Sequence, residues 1–357
     1  MKKVLIAALV SALPAAAMAD VTVYGIMKAG VENVKVGKEA SATNVDDLGS
    51  RIGFKGSEDL GNGLKAIWQV ETALAIDDGK NGGKSWASRD SFAGLSSEFG
   101  TVKLGYNSNF ANSDMGVINA WENGSDALGL SIFTRADARL KDSIRLESPE
   151  YAGFKAVYVH GVDENKNEIL ADAPSVETYT KNARINSLGL QYEIAGLTAQ
   201  YMYQVEKDAY ATAAKKEDTK QHRVELSYDW NNWFFGAGYA QTTGAVEADK
   251  KGKFFSAFGN EFAAGTVVDG QEMKARDAAM TVAYTYGAIT PKFSYAHGWD
   301  VKVDGVKAVD TAYDQFIVGA DYSLSKRTLA GVSYGKINYS GEAADVKAFG
   351  VNLIHKF

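Results

Sequence analysis

Cysteine is absent from this 357-residue chain, and proline appears only 4 times. A disulfide framework is excluded, and so are proline-rich disordered and collagen-like classes. No apolar run of about 20 residues follows Asp20, so nothing after that point can cross a bilayer as a helix. Positive charge is also in deficit: 38 Lys and Arg stand against 44 Asp and Glu, a formal net charge of −6. A polyanion such as nucleic acid is therefore not the partner. Histidine is scarce, and His160, His222, His297 and His355 are isolated from one another. With no metal-ligand spacing and no Gly-x-Ser-x-Gly elbow, the chain reads as a non-enzyme with no cofactor. Asp163, Asn165 and Asn167 imitate the start of a calcium loop, but Glu168 stands where that turn requires glycine. No metal site is expected.

What is present divides into two parts. Lys2 and Lys3 precede an apolar run over 4–10, and Ala17-Met18-Ala19 fits a small-x-small cleavage site. Residues 1–19 are expected to be a secretory signal peptide, and residues 20–357 one mature domain. Removing 19 of 357 residues leaves 338, and losing the two lysines takes the formal charge from −6 to −8.

Throughout the mature chain the pattern has period two. Leu197, Ala199, Tyr201, Tyr203 and Val205 alternate with Thr198, Gln200, Met202, Gln204 and Glu206. Val224, Leu226, Tyr228 and Trp230 alternate with Arg223, Glu225, Ser227 and Asp229. One face of each segment is apolar and the other wet, which is the signature of strands between two unlike media. Such segments recur near 21–32, 50–59, 63–72, 90–97, 100–107, 143–150, 153–161, 183–194, 196–206, 220–230, 233–242, 277–286, 289–299, 314–324, 327–339 and 346–357. Most have the length of a tilted strand crossing a hydrocarbon layer, about 10 residues.

Connection length alternates strictly. Short links at 60–62, 98–99, 151–152, 195, 231–232, 287–288 and 325–326 separate long ones at 33–49, 73–89, 108–142, 162–182, 207–219, 243–276 and 300–313. Antiparallel strands that cross a membrane place successive links on opposite sides, and outer-membrane barrels keep the periplasmic ones short. A soluble sandwich has no reason to sort its loops this way and would expose its edges. The fold expected is all-β, a 16-stranded antiparallel transmembrane β-barrel. Phe99, Tyr151, Phe154, Tyr192, Trp230, Trp233, Tyr286 and Tyr322 all lie beside short turns, as an interfacial aromatic girdle does.

Several motifs then carry a resemblance. Val21-Thr22-Val23-Tyr24-Gly25, the segment Gly49-Ser50-Arg51-Ile52-Gly53-Phe54-Lys55-Gly56-Ser57-Glu58-Asp59-Leu60-Gly61-Asn62-Gly63-Leu64-Lys65-Ala66, Ser148-Pro149-Glu150-Tyr151-Ala152-Gly153-Phe154, Ser294-Tyr295-Ala296-His297-Gly298 and the terminal His355-Lys356-Phe357 resemble the trimeric general porins of the neisserial type. The match spans the mature chain and is weakest in the long loops. The resemblance implies a homotrimer in the bacterial outer membrane, a third outer loop folded into the lumen, and a C-terminal phenylalanine read by insertion machinery. It also implies passive transport of ions and small hydrophilic solutes.

An empty sixteen-stranded tube would be roughly 30 Å across, so something must narrow it. The loop 108–142 is the longest and follows the fifth strand, the family's place for the inward loop. By resemblance Asp114, Glu122 and Asp126 form its acidic edge, with Trp121 beside Glu122. On the wall, outward Ile52 and Phe54 turn Arg51 inward, outward Val102 and Leu104 turn Lys103 inward, and outward Ile144 and Leu146 turn Arg145 inward. Lys28 faces inward by the same alternation, and Arg89 sits at the position of a family pore arginine. Opposed charges of this kind orient water and polar solutes across a neck. Ala73 and Tyr106 stand where some relatives carry further bases, which leaves the sign of selectivity open. The apolar stretch at 254–258 has no assigned partner, and the outer loops are where host or phage contacts would fall. Two other readings keep the barrel: a substrate-specific channel, and a plugged adhesin or anchor.

Overall fold

The computed structural model describes residues 20–79, 86–162, 184–211, 216–245, 270–341 and 343–357. The expected leader, the calcium-loop imitation at 163–168 and the run at 254–258 lie outside the described residues.

Sixteen antiparallel strands build the wall. In chain order they are β1 Asp20–Val36, β2 Arg51–Gly61, β3 Leu64–Ala73, β4 Ser91–Ser97, β5 Gly100–Ser108, β6 Arg139–Glu147, β7 Phe154–Gly161 and β8 Ile185–Ile194. They continue with β9 Leu197–Ala211, β10 Lys216–Trp230, β11 Trp233–Ala245, β12 Glu272–Tyr284, β13 Ile289–Val303, β14 Tyr313–Ser323, β15 Thr328–Tyr339 and β16 Val346–Lys356. Each pairs with its neighbour in sequence. β1 closes the ring by pairing with β2 from Asp20↔Ser57 to Ile26↔Arg51 and with β16 from Ile26↔Lys356 to Val36↔Val346. Gly25 and Phe357 exchange both backbone hydrogen bonds at 3.1 Å, so the chain's last residue seals the seam.

Two short ladders lie outside the expected set. Ala42–Asp47 pairs with the outer half of β1, and Val306–Lys307 folds back on the end of β13. Several strands also run farther at their outer ends than the apolar alternation does. β9, β10, β12 and β13 continue past the bilayer, where water wets both faces and only backbone pairing marks the strand.

The inner turns are tight because their backbone is left-handed. Asn62 (φ 53°) with Gly63 (φ 76°), and Ala195 (φ 48°) with Gly196 (φ 83°), have both central residues at positive φ. Such two-residue turns match the twist of the strands they join. The expected girdle residues Phe99, Tyr151, Phe154, Trp230, Trp233, Tyr286 and Tyr322 are exposed beside these turns.

The buried core sits inside the barrel. Ile118, Leu128, Leu130 and Phe133 from the long fifth-strand loop pack against Ala279, Ala296, Ile317 and Ile337, which the wall points inward. Nearer the loop's root, Phe110, Ala136 and Ala138 pack against Val157, Val159 and Met202. Where this loop lies on the wall, small and apolar side chains stand among the polar ones expected on the inner face.

Candidate pore constriction

The inward loop spans residues 109–138 between β5 and β6. Asn109 joins its two ends: its Nδ2 donates to Ala136 O and Gln204 Oε1, both at 2.8 Å, and its Oδ1 accepts from Ala138 N at 3.2 Å. It also caps the one-turn helix α1, Phe110–Ser113, through Asn112 N. This buried amide has its donors and acceptor met, which fixes where the loop departs.

From there the loop is held strand by strand round the inner wall. Gly116 N donates to Glu225 on β10 at 3.0 Å, and Trp121 Nε1 to Ser294 on β13 at 2.8 Å. Gln315 on β14 donates to Asp126 O and Gly129 O, and Asn123 donates to Ser333 on β15 at 3.1 Å. At the tip, Glu32 on β1 accepts from Gly124 N at 2.7 Å and Ser125 N at 2.8 Å, while Asn352 on β16 donates to Glu122 O. Glycines on the wall make room. A Cβ at Gly189 would lie 1.9 Å from the Phe110 ring, and one at Gly335 would lie 1.8 Å from Ala127 O.

Buried charge reinforces the seat. Arg223 on β10 bridges Asp137 at 2.5 Å and also pairs with Glu225. Burial pushes the Asp137 carboxyl up to about 6, with the Arg223 guanidinium pulling the other way. Arg135 pairs with Asp277 on β12, and Lys292 on β13 donates to Ala120 O, pairs with Asp321 at 2.7 Å and lies over the Trp121 ring.

The sequence-selected residues fall into three groups. Lys28 ion-pairs with Glu122, joining wall and loop tip. Arg51 and Arg89 share Glu71, whose other oxygen contact is the Tyr24 hydroxyl at 3.0 Å. Arg51 lies within electrostatic range of Arg89, Arg139 and Glu122. Lys103 pairs with Glu147 at 2.7 Å and lies over the Phe92 ring at 5.0 Å.

Arg145 points inward as alternation requires, yet it is not an open wall cation. It is 5% exposed and bonds Asp114 at 2.8 Å, Glu147 at 2.6 Å, Ser108 O and Ser113 Oγ. Asp114 in turn takes Lys155 at 2.7 Å. Burial alone would raise the Asp114 carboxyl, but Arg145, Lys155 and Ser113 outweigh it and hold it below the usual carboxylate range. Both residues belong to the loop's root, where Asp114 and Ser113 of the loop join Ser108 and Glu147 of the wall around Arg145. Asp126, by contrast, is exposed at the tip, where its carboxylate accepts from Ser131 Oγ at 2.6 Å.

Three wall residues escaped the sequence reading. Arg139 pairs with Asp90 at 2.7 Å, and Asp90 also accepts from Ser108 Oγ. Arg139 was hidden because Asp142 is left-handed (φ 48°) and the β5–β6 register shifts there, which interrupts the alternation. Glu71 was within reach, since Gln69 and Glu71 share the inward face of β3.

Comparison with known proteins gives a consistent picture. A profile of the Gram-negative porin family matches residues 5–342. The major outer membrane protein P.IB of Neisseria meningitidis serogroup A is 38% identical over 367 residues, covering 100% of both chains. An anion-selective porin from Comamonas acidovorans superposes with a TM-score of 0.70 at 21% identity, over 95% of this chain and 100% of that one. The trimer form of OmpT from Vibrio cholerae superposes with a TM-score of 0.65 at 12% identity, over 95% and 99%.

Proposed function

Because this chain belongs to the Gram-negative porin family, we propose that ions and small polar solutes cross it between the inward loop and the β1–β6 side of the wall. It is an outer-membrane porin, a water-filled passive channel of the bacterial outer membrane. Arg51, Arg89, Arg139, Lys103 and Lys28 form the basic side of the neck in this reading, and Glu122 and Asp126 the acidic side. Asp114 and Arg145 secure the loop so that those charges keep their spacing. The observation that supports the reading is the loop's course, with anchors on β9, β10, β13 to β16 and β1; in this reading the partly exposed Arg51, Arg89 and Arg139 are left to face the lumen.

Opposed charges in such a neck align water and sort ions by sign. Arg51, Arg89, Arg139 and Lys103 each have a wall carboxylate, Glu71, Asp90 or Glu147, so the transverse field is weaker than a bare ladder of bases would give. The functional unit proposed is a homotrimer, supported by the neisserial resemblance and by the trimer form of the Vibrio cholerae protein. Cleavage of a leader before Asp20 is part of the same proposal, supported by its charge and apolar pattern. Purified protein added to planar bilayers is expected to insert with large conductance steps that close in threes. A membrane that stays electrically silent with folded protein present would overturn the reading.

A further inference from the structure

On the outward face of β10 to β13, three cations stand apart from the paired charges of the lumen. Lys220, Lys274 and Arg276 form no ion pair among the described residues, and the Arg276 Nε is buried without a hydrogen-bond partner. Alternation with the buried inward residues Gln221, Ala275 and Asp277 sets all three on the outside of the barrel. Pairing brings them together: Lys220 faces Thr243, which faces Lys274, while His222 faces Gln241, which faces Arg276. Arg276 in turn faces Trp299 and lies over its ring at 5.7 Å.

The height of this patch decides what it meets. Trp230 pairs with Trp233 at the inner turn, and His222 pairs with Gln241 eight residues farther along each strand. At about 3.4 Å per residue and a tilt of about 40°, that is roughly 21 Å, and the Lys220 level is roughly 26 Å. The apolar band of such barrels is about 25 Å tall. Between the inner turn and the His222 level the outward residues are Val224, Leu226 and Tyr228, all exposed. The cations therefore lie at the outer edge of the hydrocarbon, with Trp299 at the interface, where aromatic rings settle. Two carboxylates of this face are committed, Asp218 to Lys207 at 2.5 Å and Asp314 to His297 and Tyr295; Glu272, two residues before Lys274, is offset by Lys302, which faces Lys274 from β13, so the patch stays positive.

We propose that Lys220, Lys274 and Arg276 form a binding site for the phosphorylated headgroup of an outer-leaflet lipid. A phosphate at the hydrocarbon edge supplies the anion that the unpaired cations lack, while its acyl chains lie along the Val224–Leu226 surface. The site is independent of the pore, since all three side chains face away from it.

Native mass spectrometry of the purified protein in detergent tests this, with diphosphorylated lipid A, its dephosphorylated form and inorganic phosphate as probes. The wild-type protein is expected to retain the phosphorylated lipid. The triple variant Lys220→Gln, Lys274→Gln, Arg276→Gln should weaken that binding about a hundredfold, from roughly fivefold per cation. Its single-channel conductance should be unchanged, which shows the barrel is intact. Lys326→Gln with Arg327→Gln, at an inner turn, should bind as wild type. Equal binding of the dephosphorylated lipid, full retention by the triple variant, or an equal loss in the inner-turn variant would each overturn the site. Complete competition by millimolar inorganic phosphate would show a free-anion site and overturn the assignment to lipid.

Discussion

At the residue scale, two arginines that look alike in the sequence do different work. Arg51 and Arg145 are both selected by alternation, but Arg51 keeps a face to the lumen while Arg145 is enclosed by Asp114, Glu147, Ser108 and Ser113. Neutralising Arg51 and Arg89 together, by Arg51→Gln with Arg89→Gln, should move the reversal potential in a salt gradient towards cations, on the order of twofold in permeability ratio, with a smaller loss of stability than Arg145→Ala because Glu71 keeps the Tyr24 hydroxyl. Arg145→Ala should instead cost about 3–5 kcal/mol, the consequence of stranding buried carboxylates, and lower the unfolding midpoint. The reverse pattern in these two variants would contradict the assignment. Inward direction was legible for Lys28, Arg51, Lys103 and Arg145 because period two is a local property of the chain. Burial was not, because two of the residues that enclose Arg145, Ser113 and Asp114, arrive from a loop whose path no local pattern encodes.

At the element scale, the inward loop is a lining as much as a constriction. Its fully buried Phe110, Ile118, Leu128 and Phe133 leave the aqueous lumen, each contributing about 1.5–3 kcal/mol, and so repay the ordering of a long irregular segment. That seat depends on absent side chains. Gly335→Ala should force the turn Asp126–Leu128 off the wall, because the new methyl would stand 1.8 Å from Ala127 O. The expected result is a loss of about 1–3 kcal/mol and noisier single-channel current; wild-type stability and a quiet channel would show that the turn does not rest there. The strands were read correctly in number and order, since the apolar face of each meets lipid. Their outer ends were not, since above the hydrocarbon the alternation fades while pairing continues. The ladder at Ala42–Asp47 was missed for the same reason: most of its residues are exposed on both faces.

At the scale of the whole molecule, the sorting of loops into short and long, the closure of β1 on both β2 and β16, and one inward loop together make a closed tube, lined on one side by that loop. The architecture could be read from the order of turns because a membrane imposes it on every second connection. The proposed neck was only partly legible: Glu122 is selected through the family resemblance, whereas the pairings of Arg139 with Asp90 and of Glu71 with Arg51 and Arg89 required the folded chain. The most direct test uses the absence of native cysteine, which gives a chemically silent background. A single Arg51→Cys substitution, followed in a planar bilayer while a charged methanethiosulfonate reagent is added, places a bulky group at the proposed neck. The account predicts that each open trimer loses conductance in three discrete steps and that its ion selectivity shifts with the sign of the reagent. Unchanged conductance and selectivity after complete modification of the thiol would contradict it.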